Sequence, residues 1–368
     1  MFEEGVVKYL FIANELKQQI ETGQYKYGET IPSENELTKL YNVSRHTIRE
    51  AISLLVKDRY VRKEKGSGTY VAYDETQRQS QNQDAKPLLV GVITTYLSDY
   101  IFPSIIRGIE KELNKENIGL LIASTHNNYG DEENALNKMI NNNVDGLIIE
   151  PTKSSYFNPN TNLYLDMNAK GIPFVMLNST YSEFDTNSVG VNDERSGYIA
   201  TEYLLEKGHT KILAIMKIDD KQGKYRLKGY VKAFANHQLS FAGDAIITYE
   251  TEDKANLSTK LDQIAFENYT AVLCYNDEIA LQVGNYVLAK GLRIPEDISL
   301  ISHDDSTLSD NFTPPITSVS HPKEKLGIEA ARWIVAAIRG KVKESNQMLF
   351  APHIIEKESV RNLLIEEH

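Results

Sequence analysis

The chain has 368 residues, with 51 acidic and 40 basic side chains and a formal net charge of -11. At about 100–200 residues per domain, this length predicts two or three domains with sizeable cores. Hydrophobic residues make up 41% and charged residues 25% of the chain, which excludes a disordered or fibrous protein. The acidic total also argues against a protein that binds nucleic acid over its whole surface.

A single cysteine, Cys274, excludes an intrachain disulfide and a multi-cysteine metal site, and it is typical of a reducing compartment. The first residues, MFEEGVVKYLFIANELKQQ, lack the small-residue cleavage site of a signal peptide. No segment approaches the ~20 apolar residues that a membrane-spanning helix requires. We therefore expect a cytoplasmic protein with no membrane partner, no metal and no cofactor.

A polar segment divides the chain. Residues 74–87, DETQRQSQNQDAKP, are rich in Gln, Ser, Asn and charge and cannot bury enough apolar surface to fold. We interpret them as a linker between a domain of residues 1–73 and a domain of residues 88–368. Residues 1–73 carry 11 basic and 10 acidic side chains, so the excess acid lies in the second domain. Within residues 42–72 the count is 7 basic against 3 acidic, which suggests that this part faces an anionic polymer.

The first domain has the pattern of three short helices. A helix over residues 8–22 is predicted by a stripe of apolar residues, Leu10, Ile12, Leu16 and Ile20. In PSENEL, Ser33 and Glu36 form a capping box, which predicts a second helix that begins at Glu34. A third helix follows a three-residue break, with Ser44 as its cap. Its inward-facing residues are Ile48, Ile52 and Leu55.

The segment YVRKEKGSGTYVAY, residues 60–73, predicts a β-hairpin with a Gly-Ser-Gly tip. Two short helices joined by a tight turn form a helix-turn-helix, whose second helix enters the major groove of DNA, and the hairpin is a wing. Residues 8–73 resemble the winged helix-turn-helix domain of the GntR family in three motifs: GETIPSENEL from Gly28, VSRHTIREA from Val43 and GSGTYV from Gly66. Arg59 departs from the glycine that this family usually has in the turn before the wing.

The resemblance implies that the first domain binds double-stranded DNA. Arg45 and Arg49 suit bidentate hydrogen bonds to guanine, each worth ~1–3 kcal/mol of discrimination. Glu34 can accept a hydrogen bond from a cytosine amino group. For Glu34 and His46, a place on a solvated surface without DNA contact is an equally open alternative. The predicted DNA-contacting residues are Glu34, Ser44, Arg45, His46, Thr47, Arg49, Lys65, Gly66 and Ser67.

Beyond residue 88, apolar strands alternate with helical segments. LLVGVITT, GLLIAST, DGLIIEP, IPFVMLN, KILAIM, AVLCYN and ISLISHD are typical of buried strands. Such alternation predicts parallel sheets covered by helices on both faces, the α/β class. Because the region is long for one doubly wound sheet, we expect two lobes with a cleft between them.

The same region resembles the effector-binding domain of the LacI family, which is related to periplasmic sugar-binding proteins. The resemblance rests on a series of short motifs, among them VDGLII from Val144, GHTKI from Gly208, RLKGY from Arg226, NDEIAL from Asn276 and GLRIPEDISLI from Gly291. It implies two Rossmann-like lobes with three crossovers, a ligand in the cleft and a homodimer with its interface along the lobes.

Open α/β sheets bind ligands outside the carboxyl ends of their strands. The residues just after each predicted strand therefore supply candidate ligand contacts, together with Arg226 at the start of a helix and His321 on the last crossover. The full set is Tyr96, Tyr100, His126, Asn127, Glu150, Asn178, Arg226, Asn276, Asp304, Asp305 and His321. For Tyr96, His126, Asn127 and His321, a packing or supporting role without ligand contact is an equally open alternative. Amides, carboxylates, a guanidinium and aromatic faces are groups that bind sugar hydroxyls and stack on sugar rings. Cys274, inside the predicted strand AVLCYN, is expected in the core.

Three segments, TTYLSDYIFPSIIRGIE, VDGLIIEPTKS and LCYNDEIAL, resemble the arabinose-responsive repressors that carry a GntR-type head. This resemblance implies a repressor of arabinose utilisation genes that the effector L-arabinose releases from DNA. The residues alone lead only to a small polar ligand, so a sensor of another sugar or of a nucleobase stays open. The DNA-binding head disfavours a transport protein. An enzyme is disfavoured because the sequence shows no nucleophile elbow, phosphate loop or metal-ligand spacing.

Overall fold

A computed structural model describes residues 8–64, 67–73, 87–98, 100–341 and 346–364 of the chain. The chain divides into two compact units, Met1–Lys86 and Pro87–His368, and each is described by itself. Residues 74–86, which make up most of the predicted linker, lie outside the described residues.

Within its described residues, the first unit contains three helices and two paired strands, as the resemblance implies. The helices are α1 (Lys8–Glu21), α2 (Glu34–Tyr41) and α3 (Arg45–Lys57), and the strands are β1 (Val61–Glu64) and β2 (Gly68–Val71). The two strands pair antiparallel, with Val61 opposite Val71 and Glu64 opposite Gly68. Fully buried side chains at the centre of the unit are those of Ile12, Leu16, Leu37, Ile48 and Ile52. They pack α1, α2 and α3 around one core.

Local hydrogen bonds set the starts of α2 and α3. The Ser33 hydroxyl accepts from the Glu36 backbone N–H, and the Glu36 carboxylate accepts from the Ser33 N–H, which confirms the predicted capping box. The Ser44 hydroxyl accepts from the Thr47 N–H at 3.2 Å and so caps α3, also as predicted. These bonds satisfy N–H groups that the first turn of a helix leaves without partners.

One position of the first unit departs from expectation, and a second, Arg59, keeps the expected turn geometry with an unusual residue. The predicted stripe of α1 is wrong at Leu10, which is 43% exposed, whereas Ala13 is buried. Leu10 lies two residues before Ile12, which is about half a turn away from the buried face. Arg59, where the related family usually has glycine, has φ 60. The turn therefore keeps the left-handed geometry that glycine adopts without cost, although an arginine occupies it.

The second unit has two six-stranded sheets, each of which forms one lobe. The strands of lobe 1 are β3 (Leu89–Thr94), β4 (Gly119–Ser124), β5 (Gly146–Ile149), β6 (Phe174–Leu177), β7 (Asn187–Val191) and β13 (Gln347–Phe350). The strands of lobe 2 are β8 (Ile212–Lys217), β9 (Ile246–Tyr249), β10 (Ala271–Cys274), β11 (Ser299–Asp304), β12 (Thr317–Ser320) and β14 (Ile354–Ile355). Their orders are β13-β7-β6-β5-β3-β4 and β14-β12-β11-β10-β8-β9. The pairs are parallel except β12 with β14, which confirms the predicted α/β class.

Helices cover both sheets. In lobe 1 they are α4 (Phe102–Lys115), α5 (Tyr129–Asn141), α6 (Thr161–Ala169) and α12 (Lys323–Ile338). In lobe 2 they are α7 (Asp193–Glu206), α8 (Lys221–Asn236), α9 (Leu257–Leu261), α10 (Asp277–Ala289) and α11 (Thr307–Asn311), with 3-10 helices at Thr251–Asn256 and Phe266–Asn268. Within the described ranges, no helix has the length and apolar character to span a membrane.

The chain passes between the lobes three times, after β7, after β12 and after β13, as the resemblance implies. His321 follows β12, so it lies on the second crossover and not on the last, where the sequence prediction had placed it. Cys274, at the end of β10, is fully buried in the core of lobe 2, as expected.

Two glycines allow α7 and α8 to cross with their backbones in contact. A Cβ atom on Gly197 would collide with the Arg226 carbonyl oxygen, and a Cβ atom on Gly229 would collide with the Glu194 carbonyl oxygen. The crossing therefore depends on the missing side chains. Because Arg226 lies at this crossing, the glycines also determine where its side chain begins.

Candidate functional site

One face of the first unit collects residues predicted to contact DNA. Arg45 and Arg49 project from the first two turns of α3, and their side chains are 58% and 60% exposed. His46 is exposed beside them, while Thr47 is half-buried with its hydroxyl 2.8 Å from that of Ser44. The helix thus presents two guanidinium groups at its amino-terminal end, the part of a recognition helix that contacts base edges.

Glu34 connects three cations of this face. Its carboxylate accepts from Arg49 Nε at 3.0 Å and from Lys63 Nζ at 3.3 Å, and Arg45 Nε lies 3.5 Å away. Burial by itself raises the pKa of Glu34, but the hydrogen bonds from Arg49 and Lys63 outweigh it and hold the pKa below its ordinary value. The charged carboxylate therefore orders both arginines. Lys63, on β1, belongs to this face although sequence reasoning did not single it out.

The hairpin extends the same basic character. Ser67 Oγ lies 2.5 Å from the Tyr70 hydroxyl, and the Arg62 guanidinium lies 6.0 Å from the centre of the Tyr70 ring. Lys65 and Gly66, the other predicted residues of the wing tip, lie outside the described residues. The DNA contacts of the whole face stay predictions.

In the second unit, a cavity lies between the lobes at the carboxyl ends of the strands. Six of the predicted ligand residues line it: Tyr96, Tyr100, Asn127, Glu150, Asn276 and Asp304. Sequence reasoning missed other lining residues, among them Lys217, Asp220, Thr251, Lys254, Tyr275 and Glu278. The wall therefore combines carboxylates, amides, hydroxyls, ammonium groups and aromatic rings.

Left-handed backbone occurs at the strand ends around this cleft. The φ angles are 92 and 44 at Asp304 and Asp305, 61 at Asn178, and 48 and 56 at His126 and Asn127. Asn and Asp adopt this conformation more readily than other residues that carry a Cβ atom. All five residues belong to the predicted ligand set.

Glu150 follows β5 and is held by both neighbouring strands. Its Oε2 accepts from the Thr95 N–H at 2.9 Å and from the Thr95 hydroxyl at 2.5 Å, and its Oε1 accepts from Asn178 Nδ2 at 2.9 Å. Burial raises the pKa of Glu150 above its ordinary value, although these hydrogen bonds act in the opposite direction. Asn178 Oδ1 lies 3.3 Å from His321 Nε2. Asn178 therefore contacts Glu150 directly, and His321 contacts Asn178. Neither Asn178 nor His321 lines the cavity.

Asp304 connects the two lobes. Its Oδ2 accepts from the Tyr100 hydroxyl of lobe 1 at 2.8 Å, and its Oδ1 accepts from Arg226 Nη2 of lobe 2 at 3.1 Å. Arg226 lies in the second turn of α8 and not at its start, where the sequence prediction placed it. It also donates to Asp193 Oδ1 at 2.9 Å and to the Tyr275 carbonyl oxygen at 2.6 Å. The buried guanidinium therefore orients Asp304 and does not line the cavity.

Lys217 is the last residue of β8 and contributes an ammonium group on a side chain that is 12% exposed. Its Nζ lies 3.0 Å from Asp220 Oδ2 and 3.2 Å from Asp219 Oδ1. Burial alone lowers the pKa of Lys217, but the two carboxylates outweigh it and raise the pKa above its ordinary value. The sequence did carry a signal for this group, because Lys217, Asp219 and Asp220 all follow the predicted strand KILAIM within four residues. The strand-end reasoning used for the other strands would have found them.

Besides Asn178, Arg226 and His321, two more predicted ligand residues do not line the cavity. The His126 side chain is 68% exposed, with Nδ1 3.2 Å from Asp131 Oδ2. Asp305 pairs with Lys357 at 2.9 Å, and Lys323 Nζ donates to its carbonyl oxygen at 2.7 Å. His126 precedes Asn127 and Asp305 follows Asp304, and both of these neighbours line the cavity.

The chemistry of the cavity suits a small polyhydroxylated molecule. Carboxylates such as Glu150 and Asp220 accept hydrogen bonds from hydroxyl groups, and Asn276 and Lys217 donate to them. Acidic groups outnumber the ammonium groups in the wall, which disfavours an anionic ligand. Across the described residues, no group of three or more His, Cys, Asp or Glu side chains is placed to hold a metal ion.

Two family models match the chain. Residues 8–71 match the bacterial regulatory proteins of the gntR family, and residues 201–360 match the periplasmic binding protein-like domain. The matched ranges fall in the first and the second unit, respectively.

Relatives match over the full length. The arabinose metabolism transcriptional repressor of Halalkalibacterium halodurans is 40% identical over 361 residues, which cover 96% of each chain. That of Geobacillus stearothermophilus is 36% identical over 369 residues, 99% of this chain and 100% of the relative. A solved LacI family transcriptional regulator from Enterococcus faecium, with bound ribose, shares the fold with a TM-score of 0.65 and 24% identity, over 75% of this chain and 99% of its own. These proteins are transcriptional regulators and not enzymes, which agrees with the prediction. The chain therefore belongs to the family of arabinose metabolism transcriptional repressors, built from a gntR-family domain and a periplasmic binding protein-like domain.

Proposed function

We propose that this chain represses arabinose utilisation genes and leaves its operator when L-arabinose binds in the cavity between the lobes, without any further cofactor. One observation carries the proposal: a single chain joins a basic helix-turn-helix face to a polar cavity between two lobes. The similarity to two arabinose metabolism transcriptional repressors over their whole length supports it.

On the DNA side, Arg45 and Arg49 donate to guanine O6 and N7 in the major groove. Glu34 keeps both guanidinium groups at the amino-terminal end of α3 before DNA arrives. Lys63 supplies a charge for the phosphate backbone, which contributes affinity without sequence selectivity.

On the effector side, the polar groups of the cavity bind the hydroxyl groups of the sugar. Asn276 Oδ1 already accepts from the Ile279 N–H as the cap of α10, so its amide nitrogen is the atom that donates to the ligand. Glu150 and Asp220 accept from hydroxyls, and the Tyr96 and Tyr275 rings cover the apolar face of the sugar.

The two events are coupled because L-arabinose binds more tightly to the state with low affinity for DNA. We propose a homodimer, since a two-fold dimer presents two heads to the two half-sites of a roughly palindromic operator. Light scattering on the full chain measures this oligomeric state, and a monomer that binds a single half-site would contradict it.

The test begins with an operator that the full chain selects from random DNA duplexes. We expect saturating L-arabinose to weaken binding to this operator by about 5- to 150-fold, the usual range of allosteric coupling. D-Xylose, D-ribose, D-galactose and hypoxanthine serve as comparisons at the same concentration. Unchanged operator affinity with L-arabinose would contradict the proposal, and release by hypoxanthine alone would replace the sugar by a nucleobase.

A further inference from the structure

Residues 151–160, between β5 and α6, form a segment of lobe 1 that we call the strap. At its centre, Lys153 Nζ lies 2.5 Å from Glu252 Oε1 and the Tyr156 hydroxyl donates to Glu250 Oε1 at 2.7 Å. Both glutamates belong to lobe 2, so these bonds connect the lobes. Neither Lys153 nor Tyr156 lines the cavity. Lys153 and Tyr156 therefore connect the lobes from outside the cavity wall, although Pro151, the first residue of the strap, lines the cavity and the Lys153 N–H donates to the cavity-lining Asn127 at 2.8 Å.

The strap makes two further hydrogen bonds with lobe 2, and the Lys224 ammonium group of lobe 2 lies 5.3 Å from the centre of the Tyr156 ring. The Ser154 hydroxyl accepts from the Lys221 N–H, the first residue of α8, at 2.9 Å. The Ser155 N–H donates to the Asp219 carbonyl oxygen at 3.3 Å. Four consecutive residues, 153–156, thus contact lobe 2. All four contacts can form together only if the backbone of this short segment has one defined conformation.

Glu132, on α5, is completely buried and is surrounded by neutral donors. Its Oε2 accepts from Asn158 Nδ2 at 2.8 Å and from Asn160 Nδ2 at 2.9 Å. Its Oε1 accepts from the Tyr164 hydroxyl at 2.8 Å and from the Tyr181 hydroxyl at 2.5 Å. Burying a carboxylate costs free energy unless its oxygens accept hydrogen bonds, and the two oxygens of Glu132 accept four.

These bonds hold the strap at both ends. Asn158 and Asn160 belong to its carboxyl-terminal end and bind Glu132 directly. At the other end, the Thr152 N–H donates to the Tyr181 hydroxyl at 2.7 Å, and that hydroxyl in turn donates to Glu132. The residues that reach lobe 2 lie between the two attachment points.

We propose that Glu132 is a positioning residue that gives the strap the shape in which it closes lobe 1 onto lobe 2 over the effector. The proposal rests on the proposed function and deepens it, since it concerns the regulation of the same cavity. A ligand that binds the closed state has an apparent affinity proportional to the population of that state. Bonds outside the cavity that favour closure therefore set the effector concentration at which the repressor responds.

The experiment compares Glu132→Gln with Glu133→Gln in the full chain. Glutamine has one acceptor oxygen, so at least one pair of donors at residue 132 loses its partner. Glu133, the next residue on α5, is exposed and serves as the matched control. By calorimetry we expect Glu132→Gln to weaken L-arabinose binding about 5- to 30-fold, mainly through faster dissociation, and Glu133→Gln to leave it unchanged.

A second variant separates positioning from a general loss of stability. Lys153→Met with Tyr156→Phe removes two strap contacts and leaves Glu132 in place, and we expect a weakening of similar size. Adding Glu132→Gln to this pair should weaken binding little further, because groups that act through one another are not additive. A lower melting temperature of Glu132→Gln with unchanged L-arabinose affinity would overturn the proposal. It would also be overturned if the triple variant lost affinity by the product of the losses caused by Glu132→Gln and by the strap pair.

A measurement that does not depend on effector affinity distinguishes this proposal from the proposed function. Spin labels at Lys170→Cys in lobe 1 and Asn268→Cys in lobe 2 report the distance between the lobes, because both positions are exposed and Cys274 is buried. We expect Glu132→Gln to broaden this distance distribution or shift it to longer separations, and an unchanged distribution would overturn the strap proposal. Failure of the wild-type chain to bind L-arabinose would contradict the proposed function and leave this distance result valid.

Discussion

His303 and His321 are two buried histidines of the second unit whose protonation follows from their surroundings. His303 is buried at β11, with Nδ1 3.0 Å from the Cys274 carbonyl oxygen. Burial lowers the pKa of His303 to about 3, and the charge of Arg226 acts in the same direction. Burial likewise lowers the pKa of His321 to about 4. Both imidazoles are therefore neutral in the folded chain at physiological pH.

This neutrality predicts loss of stability in acid. Below about pH 6.5 an unfolded chain protonates His303, whereas the folded chain does not until its pKa of about 3 is reached. The contribution of His303 is thus complete above about pH 6.5 and declines as the pH falls. His303→Gln should reduce the slope of the unfolding free energy by about 1.4 kcal/mol per pH unit in acid. Urea denaturation from neutral to acidic pH measures both slopes, and equal slopes would contradict the prediction.

At the scale of secondary structure, the crossing of α7 and α8 determines where Arg226 lies. Arg226 orients Asp304, and Asp304 accepts a hydrogen bond from Tyr100 of the other lobe. The close approach of the two helices requires Gly197 and Gly229, since a Cβ on either would overlap a backbone carbonyl of the other helix. Helix packing outside the cavity is therefore connected to the geometry of its wall.

We expect Gly229→Ala to lower the free energy of unfolding by about 1–3 kcal/mol, because the added methyl group forces the helices apart. The displacement should also weaken L-arabinose binding, since Arg226 moves with α8. Gly243→Ala is the matched control, because a Cβ at residue 243 meets no atom within 4 Å and the change should stay within about 0.5 kcal/mol. Chemical denaturation and calorimetry measure both effects. Equal stability of the two variants would exclude the packing argument.

Helices and strands that a nearby sequence motif marks, such as a capping residue or an apolar run, were predictable from the sequence. Elements that no nearby motif marks were not. α2 begins as predicted because its cap lies within four residues, Ser33 to Glu36. α8 begins earlier than predicted because Asp220 caps it by accepting from the Gly223 N–H, a signal that was present but not used. The sequence prediction missed β9, β12, β13 and β14, because none of them is a fully buried apolar run of four residues like the equally short β5, β6 and β10.

The candidate site shows the same division. Strand ends predicted the loops around the cavity, because parallel strands place their carboxyl ends at one edge of each sheet. The direction of each side chain depends on partners elsewhere in the chain. Asp305 turns to Lys357, and Asn178 turns to Glu150 and His321. No pattern near Asp305 or Asn178 in the sequence reveals these partners.

At the scale of the whole molecule, the net charge of -11 is an average over two units with different tasks. Residues 1–73 carry 11 basic and 10 acidic side chains, and Arg45, Arg49 and Lys63 collect on one face. The second unit holds the acidic excess, which disfavours non-specific contact with DNA. In the proposed function, DNA binds the first unit and L-arabinose binds the second unit. Each ligand should therefore stabilise only the unit that it binds.

We expect L-arabinose to raise the unfolding midpoint of the second unit and to leave that of the first unit unchanged. At a free concentration about 100 times the Kd, the gain should be about 2.7 kcal/mol, since the ligand binds the folded state only. Trp333, the single tryptophan of the chain, lies on α12 and reports the second unit by fluorescence. Circular dichroism reports the helices of both units, and an operator duplex should produce the reverse pattern. One transition that either ligand shifts as a whole would contradict this prediction, because the two units would then unfold together.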